Sequence, residues 1–138
     1  MKIMVSACLL GENCKYNGGN NFNQRLADFL KGHEVIPVCP EVAGGLPTPR
    51  APSEIVNGVV TNNLGQNVDK EFRLGAELCL KKAEELHPDM IILQSRSPSC
   101  GVKQIYDGAF SKKLIPGQGV FAEKCISAGF KTIDLEDI

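Results

Sequence analysis

The chain has no long hydrophobic run. Its longest apolar stretches span about six positions, against the roughly 20 that a membrane-crossing helix needs. It has no excess of positive charge, since its formal net charge is −1, so no basic surface offers itself to a long nucleic acid. That argument leaves a nucleobase-sized ligand open. There is no G-x-G-x-x-G or P-loop pattern, so nucleotide phosphate binding has no motif support. No two cysteines have C-x-x-C spacing, which argues against structural zinc. The opening MKIMVSACLLG holds one Lys and runs straight into strand and loop, so it does not read as a signal peptide. Six cysteines without an export signal point to reduced, cytoplasmic thiols used for metal binding or catalysis rather than a disulfide framework.

What is present is ordinary globular material. The 138 residues are 43% hydrophobic and 22% charged, enough for one domain over residues 1–138 with one core. Short apolar runs at Lys2–Ala7, Glu34–Val38, Met90–Leu93 and Lys131–Ile133 read as strands. Helices are expected from Asn23, a capping residue, to Gly32, from Asn67 or Asp69 to Leu86, and over Gly119–Ala128. In the long helix Phe72, Leu74, Ala76, Leu78, Cys79 and Ala83 are the expected apolar positions. Asn57-Gly58, flanked by Ile55–Val56 and Val59–Thr61, is a hairpin signal. Cys39–Pro52 reads as irregular loop, and Gln94–Gly117 as loop with a strand near Ile105–Phe110. Strands alternating with helices predict an α/β fold. The expectation is a small Rossmann-like three-layer domain with a mostly parallel sheet of about four strands plus a β-hairpin.

Three cysteines share one topological position. Cys8, Cys39 and Cys100 each lie just beyond a strand, in loops rich in Gly, Pro and Ser. If the strands are parallel neighbours, the thiols meet at the carboxyl edge of the sheet, where open α/β sheets bind ligands. Three thiolates there suit a soft metal or an iron–sulfur cluster with one position left open. Taken singly, each also reads as a small buried hydrophobe. Cys79 and Cys125 fall in helices and read as packing. Cys14, six residues after Cys8, reads as a fourth ligand, a resolving thiol or an incidental exposed thiol.

Polar residues cluster around these positions. Glu41 lies two residues past Cys39 and suits a general acid or base. Arg50, between prolines, is aimed at a substrate carbonyl or paired with Glu41 or Glu54. Ser97 and Ser99 either orient substrate or cap the turn before Cys100. Arg96 supplies positive potential near the thiols.

Ser6-Ala7-Cys8-Leu9-Leu10-Gly11, then Val38-Cys39-Pro40-Glu41 with Gly44-Gly45-Leu46 and Pro49-Arg50, then Ser95-Arg96-Ser97-Pro98-Ser99-Cys100-Gly101 resemble the DUF523 family in order and along essentially the whole chain. Tyr106-Asp107-Gly108 and Gly117-Gln118-Gly119-Val120 also fit. Characterised members are thiouracil desulfurases. The resemblance implies a [4Fe-4S] cluster held by Cys8, Cys39 and Cys100, whose unligated iron takes the sulfur of a thiolated pyrimidine. It also implies Glu41 in proton transfer and a serine of the third motif in substrate contact. Combined with the residue-level reading, Glu41 and Ser97 are assigned to catalysis, and Ser99 and Arg50 to substrate binding. The expected partner is a small thiolated nucleobase or nucleoside, with no long nucleic acid and no membrane. Two other readings make different predictions. A non-catalytic cluster-binding sensor or carrier would hold iron without turnover. A cluster-free thiol enzyme would use Cys8 or Cys39 as nucleophile and Cys14 as resolving partner.

Overall fold

All four residues of Met90–Leu93 are buried, as a strand covered on both faces requires. The computed structural model of the chain describes residues 1–138 and places this run, β5, inside a four-stranded parallel sheet. The other strands are β1 (Lys2–Ser6), β2 (Glu34–Val38) and β8 (Thr132–Asp134), in the order β2-β1-β5-β8. Ser6 pairs with Val38, Val5 with Ile92, and Leu93 with Asp134, so the carboxyl ends of adjacent strands finish close to one another.

Alternation sorts the side chains into two layers. Met4, Ile91 and Leu93 face the longest helix, α3 (Asp69–Leu86), and the last, α4 (Val120–Ser127), in one cluster that includes Phe72, Ala76 and Phe121. Ile3, Val5 and Ile92 face α1 (Gln24–Leu30) in a second cluster with Leu9, Leu26 and Leu30. These layers give the expected three-layer α/β arrangement. Asn23 caps α1 by accepting from Leu26 N at 2.9 Å. His87, at φ 51°, ends α3 ahead of Pro88.

Three expectations need correction. Leu74 and Leu78 are 49% and 46% exposed, because two residues along a helix from Phe72 or Ala76 is about 200° around the axis. The segment 94–117 holds a second hairpin, β6 (Gln104–Tyr106) with β7 (Leu114–Pro116), and Phe110 lies in its connection with φ 56°. The strand expected near Ile105–Phe110 is present as β6, shorter and ending at Tyr106, while its three-residue partner β7 carries too little alternation to be seen beforehand. The Cys39–Pro52 loop opens with a short helix, α2 (Pro40–Ala43), started by Pro40 at a position where its missing N–H costs nothing.

The predicted Asn57-Gly58 turn joins β3 (Ser53–Val56) to β4 (Val59–Asn62), with both central residues at positive φ as a type I′ turn demands. Glu54 ties the two hairpins together, its Oε1 accepting from Gly108 N at 2.9 Å and Phe110 N at 3.2 Å. Its sequence-level pairing with Arg50 is not made. No helix is long and apolar enough to cross a membrane.

Helix α2 docks on α3 through two glycines. A Cβ on Gly44 would lie 1.9 Å from Glu71 O, and one on Gly75 would lie 1.7 Å from Pro40 O. Alanine at Gly75 gains about 1 kcal/mol of helix propensity but must push two backbones apart, at about 1–3 kcal/mol or more. With backbone as the obstacle, the clash wins. Gly75→Ala is expected to lower stability by about 1 kcal/mol or more in chemical denaturation.

Candidate active site

The three strand-end cysteines border one cavity of about 520 Å³ at the carboxyl edge of the sheet. The topology explains why. β2, β1 and β5 are neighbours, Cys39 and Cys8 each lie within two residues of a strand end, and Cys100 returns to the edge after the turn that follows β5. Cys14, Glu41, Arg50, Ser97 and Ser99 border the same cavity, so every residue singled out as a site candidate is brought together.

The thiols differ in setting. Cys100 is 5% exposed, and burial drives its pKa well above the ordinary thiol value, partly offset by a hydrogen bond from Ser6. Burial also raises Cys8, against a hydrogen bond from Asn21 Nδ2 to its Sγ at 3.6 Å. Cys14 is pushed up to about 12 by burial and by the neighbouring Cys39. Cys39 Sγ lies 3.9 Å from the Cys14 carbonyl oxygen. Cys79 and Cys125 are buried in the helix-side core, as their helical positions suggested.

Glu41 sits in the first turn of α2 with both carboxylate oxygens engaged. Arg50 Nε donates to Oε1 at 2.9 Å, and Ser99 Oγ donates to Oε2 at 2.8 Å. Ser97 Oγ accepts from Ser99 N at 3.1 Å and Cys100 N at 3.0 Å, capping the turn, and lies 2.9 Å from Ser99 Oγ. Since the Ser99 proton is directed at Glu41, the Ser97 hydroxyl donates to Ser99. The result is a chain running Ser97–Ser99–Glu41, its middle member 3.6 Å from Cys100 Sγ.

Arg50 is committed to protein. Besides Glu41, it donates to Cys14 O at 2.8 Å, Pro47 O at 3.2 Å and Thr48 Oγ1 at 3.0 Å, with its side chain 7% exposed. Four of its five N–H groups are thereby used. Of the alternatives open in the sequence, the pairing with Glu41 is the one observed. A lysine has one compact ammonium and cannot span Glu41, the Cys14 loop and Pro47 at once. Arg50→Lys is expected to misplace Glu41 and to lower the rate of any reaction in which Glu41 moves a proton about 10- to 100-fold, with the fold kept by circular dichroism.

Sequence reasoning missed Asn21, Ser6 and the Cys14 carbonyl. Ser6 reads as a strand residue, yet its hydroxyl accepts from Gln94 N at 3.0 Å and bonds to Cys100. Only the Gly/Asn-rich composition of 11–21 hinted that this loop serves the site.

The thiol set fits an iron–sulfur cluster. Its donors are soft sulfur atoms, and they ring a cavity large enough to hold more than one atom. No three Cys, His, Asp or Glu side chains are grouped so as to hold a single metal ion.

An open parallel sheet with three thiols at its carboxyl edge, beside a hydrogen-bonded carboxylate and serine pair, defines a small α/β protein with soft donors gathered at one cavity. The chain belongs to the 2-thiouracil desulfurase family, whose model matches residues 3–137. It is 36% identical to the protein YbbK of Bacillus subtilis (strain 168), the match covering 99% of each. Among solved structures it is similar to the [4Fe-4S]-dependent thiouracil desulfidase TudS, with a TM-score of 0.92 and 36% identity over 99% of this chain and 92% of that one.

Proposed function

We propose that this protein is an iron–sulfur-dependent desulfurase that converts a thiolated pyrimidine of the thiouracil type, with water, to uracil and hydrogen sulfide. The observation that carries this reading is the Arg50–Glu41–Ser99 chain, set in the same cavity as Cys8, Cys39 and Cys100. Family membership and the resemblance to TudS support it. Cys8, Cys39 and Cys100 would hold a [4Fe-4S] cluster. When bound, the cluster supplies an open Lewis-acidic iron that polarises the thiocarbonyl.

The protein's own residues do the rest. Exchange of S for O at a thiocarbonyl consumes one water and releases one hydrogen sulfide, so no electrons are needed. Arg50 fixes Glu41 Oε1 and leaves Oε2 as the working oxygen. Oε2 takes a proton from the attacking water, Ser99 turns its own proton from Oε2 to the departing sulfur and is reprotonated from Oε2, and the second water proton reaches the sulfide as the carbonyl forms. Ser97 holds Ser99 in that path, while Arg50 positions the carboxylate without touching substrate. The cavity is roomy enough for a nucleobase.

The test is anaerobic reconstitution with iron and sulfide, followed by iron counting and addition of 2-thiouracil. About four irons per chain with loss of the thiocarbonyl absorption supports the reading. Iron without turnover favours a sensor or carrier. A folded anaerobic sample that takes up no iron leaves the thiol-enzyme reading.

A further inference from the structure

One polar pair, Ser95 on the cavity wall and the buried Asp134 behind it, has no part in the chemistry above. Ser95 follows β5, lines the cavity and is 8% exposed. Its hydroxyl donates to Oδ1 of Asp134 at 2.5 Å, across the step from the end of β5 to the end of β8. Asp134 is 1% exposed, and its Oδ2 is buried with no hydrogen-bond partner. Burying a carboxylate with one oxygen unmatched costs stability and calls for a reason.

The direction of the bond supplies it. Asp134 Oδ1 also accepts from Glu136 N at 2.8 Å, so this oxygen is an acceptor and the Ser95 proton must point at it. A hydroxyl has one proton and two lone pairs. With its proton taken, Ser95 can only accept, and no protein group donates to it. Ser95 stands at the cavity wall beside Arg96, at φ 64°, and the Ser97–Cys100 turn that lines the same cavity.

We propose that Ser95 is a specificity-determining residue that accepts a ring N–H flanking the thiocarbonyl of the substrate, and that Asp134 is a positioning residue that keeps the Ser95 hydroxyl in its acceptor state. This rests on the desulfurase reading and deepens it. The ligand selected is a thiolactam carrying a free N–H, in preference to an N-alkylated ring.

The experiment compares 2-thiouracil with its N-methylated derivatives on the cluster-loaded enzyme, following both turnover and the absorption change on binding. The wild type should favour the N–H substrate about 3- to 10-fold in KM, the range of one hydrogen bond. Ser95→Ala should raise KM for 2-thiouracil by that factor, leave kcat within about twofold, and erase the preference. Asp134→Ala should erase it too, whereas Asp134→Asn, which keeps an acceptor oxygen at the Oδ1 position, should retain it. Ser95→Ala removes one buried oxygen and keeps the test valid if the Asp134 variants do not fold. A preference unchanged in Ser95→Ala, or a fall in kcat equal for all substrates, overturns the assignment. Wild-type enzyme that binds thiouracils with this preference but desulfurates none of them overturns the desulfurase reading alone.

Discussion

Replacing Cys100 with Ala is expected to remove iron and turnover together. Iron after anaerobic reconstitution should fall from about four per chain to below about one. Cys100 is the most demanding of the three thiols because it is 5% exposed and its burial holds the proton on sulfur. Only the thiolate binds iron, so metal must displace that proton, and uptake releases it. The sign follows directly. A ligand whose pKa is raised in the empty site binds metal less readily as pH falls, so iron retention should decline towards acid. Ser6, whose hydroxyl hydrogen-bonds to the sulfur, offsets part of the burial. Cys8→Ala and Cys39→Ala should behave alike. Cys79→Ala is the control: its thiol packs among Phe72, Ala76 and Ala83 in the helix-side core, and its loss should cost some stability while leaving iron in place. Cys14 sharpens the test. Its thiol neighbours Cys39 in the same cavity, so iron loss on Cys14→Ala with retention on Cys100→Ala would reassign the ligands.

The parts of this site that were legible in the sequence are those set by strand periodicity. Three apolar runs each ending near a cysteine were enough to place the thiols on one edge, because parallel neighbours finish together. The Asn57-Gly58 turn and the Asn23 cap were legible because each is a local device with its own chemistry. What stayed hidden depends on which segments meet. The Arg50–Glu41 pairing was among the alternatives the sequence offered, but that Arg50 would also spend itself on Cys14 O and the Pro47–Thr48 turn depends on how three loops fold over one another. The Gly44–Gly75 contact is invisible in either helix alone, since each glycine reads as a weak helix residue until the other backbone arrives. Asp134 lay just past the expected last strand, Lys131–Ile133. Its burial became visible only with β8 beside β5.

Glu41→Gln is expected to abolish turnover, with a fall of about 10²- to 10⁴-fold in kcat, while the visible spectrum of the reconstituted protein stays that of the wild type. The variant is nearly isosteric, and the surrounding bonds decide how it sits. Arg50 Nε is a donor with no acceptor capacity, so the amide oxygen must take the Oε1 position, and the amide nitrogen is left facing Ser99. That nitrogen donates, so the Ser99 proton that pointed at Glu41 has to turn elsewhere. The Ser97–Ser99–Glu41 chain is then reversed at its last link as well as deprived of its base. Because the carboxylate is 16% exposed and paired to a buried guanidinium, removing its charge also leaves Arg50 without a counter-charge. Some loss of thermal stability should therefore accompany the loss of rate. Cys39, two residues away, keeps its place at the head of α2 because the Gly44–Gly75 contact, rather than Glu41, seats that helix. Iron content should be unchanged for this reason. Full activity in the Gln variant would remove Glu41 from proton transfer. Loss of iron together with activity would recast it as a residue that holds the cluster loop in place.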